Sequence, residues 1–423
     1  MSRLRKEIET FRRCPRAMQV LMLANMAYAL VLPVIEVFIA AFVMRNTRAV
    51  DKVVTYQLSI YAATPAAFLM NGWLIGRVQI KHLYAAGMVL SGVVMMLLMG
   101  SGDLSPIGIA TSGLAMGLAT GLFWANRGFL ALATTDDGNR NYYYGVELFI
   151  STLAAVVVPA LIGWFISGTV HYGWLGGVAN RAYDIIAVIV FCLTVIAAAI
   201  LERGSFRNPP RVHFLFFRFG ALWRKMMQLG FLKGLAQGYM LTAPAMLILL
   251  LVGQEGTLGT TQALGGVFSA CLMYMAGRIA TPRHRGIIFS AGLLLFFLGA
   301  LCNAWLFNAV GVLIFVGCLL LSKPLLDLAY NPIELSVVDA VSRQDGRSPY
   351  AYLFNHELGL FPGRMVGCGL FLAIAHWFSA HAALQYALPI VALVQLISIP
   401  VANQLSRSLK AQGNVLSLDR VSR

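Results

Sequence analysis

Twelve apolar runs follow one another along the chain, separated by short polar or basic stretches. They fall at roughly 17–44, 53–76, 83–101, 106–132, 142–168, 183–201, 228–252, 260–277, 286–307, 309–333, 350–376 and 383–405. Most are about twenty residues or longer, enough at 1.5 Å per residue to cross ~30 Å of hydrocarbon. In lipid a backbone must satisfy its own hydrogen bonds, so a spanning segment is a helix or part of a closed barrel. Barrel strands alternate polar and apolar residues, and these runs do not. The pattern predicts an all-α integral membrane protein with twelve transmembrane helices.

Composition agrees. The 423 residues are 59% hydrophobic and 12% charged, against about 25% charged in a soluble domain. The net charge of +15 would point to nucleic acid in a soluble protein, but its placement argues for membrane topology instead. With the N-terminus inside, alternate loops and the two ends hold 24 of the 32 basic residues. The outer loops hold Arg45, Arg48, Lys52 and Arg181, and four more lie within spans. This bias places both termini in the cytoplasm and suits a multi-pass protein of a prokaryotic inner membrane. Of the six cysteines, all but Cys14 lie inside apolar runs and read as small hydrophobes, with no disulfide or metal-ligand spacing. The basic arm MSRLRKEIETFRRCPR precedes a run too long for a signal-peptide core. No metal, cofactor or nucleic acid is expected.

The stretch ERGSFRNPPRVHFLFFRFGALWRKMM carries six basic residues and a Pro-Pro pair near the middle of the chain. It reads as a cytoplasmic linker, 202–227, held by anionic lipid between bundles 1–201 and 228–423. The two halves echo each other. Gly76-Arg77 closes span 2 and Gly277-Arg278 closes span 8, at an offset of 201. Asn126 in span 4 answers Asn331 in span 10 at 205, and Glu147 in YYYGVELF answers Glu357 in YAYLFNHELGLF at 210. Three matches in one order at a nearly constant offset predict two pseudo-symmetric six-helix bundles.

Here the chain resembles the major facilitator superfamily, over its whole length. The loop after span 2 is similar to that family's Gly-x-x-x-Asp-Arg-x-Gly-Arg-Lys motif at Gly72, Arg77 and Lys81, and departs from it at Gly76, Gln79 and Ile80. The antiporter motif of span 5 is met only at Pro159 and Gly163. Trp124-Ala-Asn-Arg127 followed by Arg140-Asn-Tyr-Tyr-Tyr resembles the YqgE-like branch. The resemblance implies a monomeric secondary transporter working by alternating access, its halves rocking around a cavity lined by spans 1, 4, 7 and 10. It marks Gly72, Arg77, Lys81, Gly277, Arg278, Glu147 and Glu357 as structural or gating candidates. Membrane lipids, a small-molecule substrate and a proton are the expected partners.

Eight Asp, Glu, Lys or Arg residues fall well inside the predicted spans: Glu36, Arg127, Glu147, Lys233, Lys323, Asp327, Glu357 and Arg364. Each is expensive at membrane depth unless paired or hydrated. Four acids against four bases suit helix-to-helix pairing, an Arg127–Glu147 pair above all. As a functional set, Asn25, Tyr28 and Glu36 form a polar stripe at helical spacing on span 1, with Pro33 loosening the helix beside Glu36. Trp124 and Arg127 on span 4 offer a stacking ring and a bidentate anion fork. Lys323 and Asp327 share a face of span 10, with Lys323 competing for the Asp327 carboxylate. Arg364 lies deep in span 11, on one face with Glu357. Glu36 is the expected protonation site and Asp327 its counterpart. His356 reads as a hydrogen-bonded packing residue. No enzyme motif is found: Asp136-Asp137 lacks a second acidic cluster, and no Walker-type loop is present. A lipid-acting membrane enzyme and a non-transporting sensor are the rival readings.

Overall fold

The computed structural model describes residues 9–102, 104–135, 139–208, 216–279, 285–347 and 349–421. Asp136-Asp137 and the Pro-Pro pair of the linker lie outside them. Among the described residues the regular structure is helical, with no strand. Eleven helices are long and apolar enough to cross a membrane. They are α1 (Arg16–Thr47), α2 (Val50–Leu74), α3 (Ile80–Gly100), α4 (Pro106–Ala131), α5 (Tyr142–His171), α6 (Ala179–Glu202), α7 (Ala221–Leu251), α9 (Arg285–Leu306), α10 (Ala309–Asp345), α11 (Ala351–Trp377) and α12 (Ala380–Leu409). A further helix of 25 residues, α8 (Glu255–Ile279), occupies the place of the eighth predicted span. Glycine, threonine and Gln262 dilute its apolar content, which is why it falls outside the eleven.

Local chemistry accounts for several helix ends. The Ser105 side chain accepts from the Gly108 amide at 3.0 Å, with Pro106 at the first helical position of α4. Asn308 caps α10 in the same way through the Gly311 amide, at 3.0 Å. That helix ends at Gly346, whose φ of 62° no branched side chain adopts easily. Pro33 interrupts α1 as the sequence predicts: an α-helical stretch ends at Ala29, and the chain resumes as a π-turn over Val34–Phe38 that carries Glu36.

Among the differences from expectation, two bear on the polar side chains. The tenth predicted span stops at 333, yet α10 runs on to Asp345. Asn331-Pro332 reads as a stop in sequence, but both Pro324 and Pro332 sit inside the helix. Membrane helices tolerate proline because neighbouring groups take up the freed carbonyls. The second difference is α7, which begins at Ala221, so residues 221–227, expected in the linker, are helical. Phe216 of the expected linker is buried against Phe219 and Tyr352, and the Arg347 guanidinium lies 4.4 Å from its ring.

The chain forms two compact units: Met1–Arg211 with Gln254–Ala263, and Val212–Gly253 with Leu264–Arg423. In unit 1, α2 packs on α4, α3 packs on α4 and α6, and α1 packs on α5 and α6. The α2–α4 seam is built on Gly113, Gly117 and Gly121. A Cβ on Gly117 would stand 2.3 Å from the Ile60 carbonyl oxygen. The first turns of α8 also belong to this unit. Glu255 ion-pairs with Arg45, and Gly259 meets α5 so closely that a Cβ there would lie 2.3 Å from the Pro159 oxygen.

In unit 2, α7 packs on α11, α9 packs on α10, and α12 packs on α9 and α11. The α7–α11 seam again uses small residues. A Cβ on Gly234 would lie 2.2 Å from the Leu360 oxygen, and one on Gly363 would lie 2.1 Å from the Phe231 oxygen. Lipid offers little hydrophobic drive for helix association, so close backbone contact at small residues and interhelical hydrogen bonds supply it. These seams set the register of the charged side chains described next.

Candidate functional site

Each unit holds one polar cluster within its spans. In unit 1 the hub is Asn25 on α1. Its amide nitrogen donates to the Tyr143 hydroxyl and to Glu147 Oε1, both at 2.9 Å, and its oxygen accepts from the Tyr84 hydroxyl at 2.8 Å. Arg127 reaches the same Glu147 oxygen at 3.1 Å through a terminal nitrogen and at 3.2 Å through Nε. Helices α1 and α4 thus meet on the Glu147 carboxylate of α5, and α3 joins them through Asn25. Trp124, largely exposed, lies beside Arg127, whose guanidinium carbon is 5.0 Å from the ring centre. A shallow recess is lined by Met22, Met26, Val146, Asn25 and Glu147 among others.

The span-1 stripe divides at its π-turn. Tyr28 is 1% exposed, shares a 2.9 Å hydrogen bond with Ser91 and packs on the Phe123 ring. Asn25 and Tyr28 therefore face neighbouring helices. Glu36 is only partly buried, and among the described residues no hydrogen bond or ion pair reaches it. Of the loop residues, Gly72 lies half-buried in the last turn of α2. Arg77 stacks on Trp73 at 3.8 Å, and Lys81 pairs with Glu202 at 2.9 Å. Asn208 ties that loop down by bonding Ile75 O, Val78 O and the Ile80 amide. Gly277 and Arg278 end α8, and their side chains lie outside the described residues.

Unit 2 holds a larger cluster on α7, α10 and α11. Arg364 pairs with Glu357 at 2.9 Å and donates to Gln237 at 3.0 Å. The expected competition between Lys323 and Asp327 does not occur. Lys323 is exposed and makes no ion pair among the described residues. Asp327 instead faces Lys233 of α7 at 3.7 Å, whose ammonium lies 3.8 Å from the centre of the Tyr330 ring. The packing of α7 against α10 brings Lys233 to Asp327, while Lys323 is left exposed. Beyond them, the Tyr330 hydroxyl and His356 Nε2 are 2.6 Å apart, and His356 Nδ1 is 3.1 Å from Glu334 Oε1. His356 is 4% exposed.

Among the partners that escaped the sequence reading are Glu334, Asn71 and Glu255, besides Tyr84, Tyr330 and Gln237. Glu334 lies one residue past the expected end of span 10, and helical periodicity carried through Pro332 was the signal that would have placed it. Asn71 accepts from Asn126 at 2.7 Å, a buried pair between α2 and α4. The Arg45–Glu255 pair joins residues 210 apart in sequence, and no local pattern announces it. Asn331, the repeat partner of Asn126, is exposed.

No family model matches the chain. A curated relative, the uncharacterized protein YqgE of Bacillus subtilis, is 21% identical over 378 residues, covering 86% of this chain and 84% of its own. Among solved structures, a bacterial homologue of the iron transporter ferroportin in an inward-facing state aligns over 92% of this chain and 98% of its own. Its TM-score is 0.68 at 14% identity. A POT family transporter in complex with a thioalcohol-conjugated peptide gives 0.67 at 12% identity, over 92% of this chain and 97% of its own. A bacterial metal transporter gives 0.64 at 12%, over 93% and 99%. The fold is shared with these membrane transporters. The chain is a multi-pass integral membrane protein.

Proposed function

We propose that this protein is a secondary active transporter, a member of the major facilitator superfamily, that moves a small organic solute across a prokaryotic inner membrane by alternating access, driven by protons. The observation that carries the reading is a transporter fold whose membrane helices hold titratable carboxylates among fixed cations. An ion gradient is the energy source such groups can use, because a buried carboxylate binds or releases a proton as its hydration changes. Arg127, beside Trp124 and paired with the Glu147 that lines the recess, supplies an anion fork and a ring face for an organic solute. Glu36, partly exposed and unpaired among the described residues, is the unit 1 candidate for proton exchange.

The test begins with thermal-shift screening of the purified protein against dipeptides, amino acids, organic anions and divalent metals. Stabilising solutes then go to counterflow in proteoliposomes, with and without an imposed pH gradient. The reading expects counterflow of a stabilising organic solute and its accumulation when the gradient is applied. A solute that stabilises the protein yet shows no counterflow identifies a sensor. Counterflow only of a divalent metal overturns the organic-solute assignment.

A further inference from the structure

The unit 2 cluster has a charge imbalance that unit 1 lacks. Its carboxylates are Asp327, Glu334 and Glu357, and its cations are Lys233 and Arg364. Lys233 is supplied by α7, Asp327 and Glu334 by α10, and Glu357 and Arg364 by α11. The charges acting on Glu334 and His356 are those of Lys233, Glu357 and Arg364. Lys323 is exposed a turn from Asp327 and is not among them. With His356 neutral, the three carboxylates face two cations, so the cluster carries one uncompensated negative charge in a place where a lone charge is expensive.

The contacts at His356 show where one proton would be held. The imidazole is buried, with Glu334 on Nδ1 and the Tyr330 hydroxyl on Nε2. In the deprotonated cluster Tyr330 donates to Nε2, and Nδ1–H donates to the Glu334 carboxylate. With one more proton, the Glu334 carboxyl donates to Nδ1, and Nε2–H donates to the Tyr330 oxygen. The three-residue chain keeps its hydrogen bonds in both states. Loading keeps both contacts of the imidazole and releases the Tyr330 O–H from Nε2. Glu334 with His356 is also the least exposed ion-pair contact in the cluster, with side chains 15% and 5% exposed, against 39% for Asp327 and 28% for Glu357.

We infer that Glu334, His356 and Tyr330 form a single-proton binding site of unit 2, with the proton held between Glu334 and His356 and charge-matched by Lys233. Its role in coupling rests on the transport reading above; the binding of the proton does not. The site replaces Asp327 as the expected counterpart of Glu36.

Infrared difference spectroscopy of the full-length protein in nanodiscs, titrated with acid, tests the site without a substrate. The expected result is a carboxylic-acid C=O band that grows along one titration curve and is missing in Glu334→Gln. His356→Gln should keep the band and move its midpoint by roughly tenfold in proton activity, because the partner that shares the proton is gone. If Glu334→Gln does not yield monodisperse protein, Glu334→Asp should retain a band with a displaced midpoint. The same C=O titration in Glu334→Gln as in wild type, or loss of that band in Glu36→Gln instead, overturns the site. Solute accumulation in proteoliposomes driven by a pH gradient should fall at least tenfold in Glu334→Gln. A wild-type protein with the Glu334 band but no counterflow of any solute leaves the proton site standing and removes the transport reading.

Discussion

The clusters of the two units are built from similar parts and balanced differently. In unit 1 one carboxylate, Glu147, meets one guanidinium, Arg127, and neutral donors supply the rest. In unit 2 the corresponding Glu357 meets Arg364 from its own helix, and a second layer of Lys233, Asp327, Glu334 and His356 is added. A balanced pair resists titration, because removing either charge strands the other. An odd-numbered cluster with a histidine in direct contact with a carboxylate has room for one proton. The difference teaches that counting charges within a contact network says more about proton chemistry than the depth of any single acid.

The largest effects should come from the seams that hold each cluster in register, and they should be alike in both units. Gly363→Leu in unit 2 and Gly117→Leu in unit 1 would drive a side chain into a backbone carbonyl and cost more than about 3 kcal/mol. Loss of a monodisperse peak in size-exclusion chromatography is the expected readout. A normal peak for either variant would show that its seam can open.

Next in size, removal of a charge should separate the clusters. Arg127→Ala and Glu147→Gln each strand a partly buried partner in unit 1, an effect of about 3 kcal/mol, visible as a lowered Tm. Glu334→Gln removes the uncompensated charge of unit 2 and keeps the shape, so its Tm should stay within about 1 kcal/mol of wild type at neutral pH. Equal losses for Glu147→Gln and Glu334→Gln would break the comparison.

Asn25→Ala leaves Tyr84, Tyr143 and Glu147 each short of one hydrogen bond and should cost about 2 kcal/mol. The same loss of Tm at high salt would confirm that neutral donors, not charge, are missing. The smallest effect belongs to Lys323→Ala, an exposed side chain outside both networks, at under about 0.5 kcal/mol. A larger drop in thermal unfolding would bring Lys323 into the unit 2 charge count and remove its imbalance.

Much of the fold was legible because a membrane restricts the choices. Runs of about twenty apolar residues in lipid can only be helices, so helix type and most positions follow from hydropathy alone. The unit 1 pair was legible too, since Arg127 and Glu147 lie on consecutive helices and each needs an opposite charge at membrane depth. Glu334 was not, because Asn331-Pro332 carries the local signature of a helix end, while the surrounding helices sustain α10 for more than three further turns.

By itself, then, the sequence determined the helical, multi-spanning character of this protein, the break in α1 at Pro33, and the need for its intramembrane charges to find partners. These follow from hydropathy, proline geometry and the cost of charge in lipid, which are properties of short stretches of chain. The tertiary structure alone decided which partners they found. Lys233 rather than Lys323 meets Asp327, Tyr28 turns to Ser91, and His356 joins Tyr330 to Glu334. Such choices depend on which faces of distant helices are pressed together, and glycine seams such as Gly234 against Leu360 set that register to within a fraction of a side-chain length.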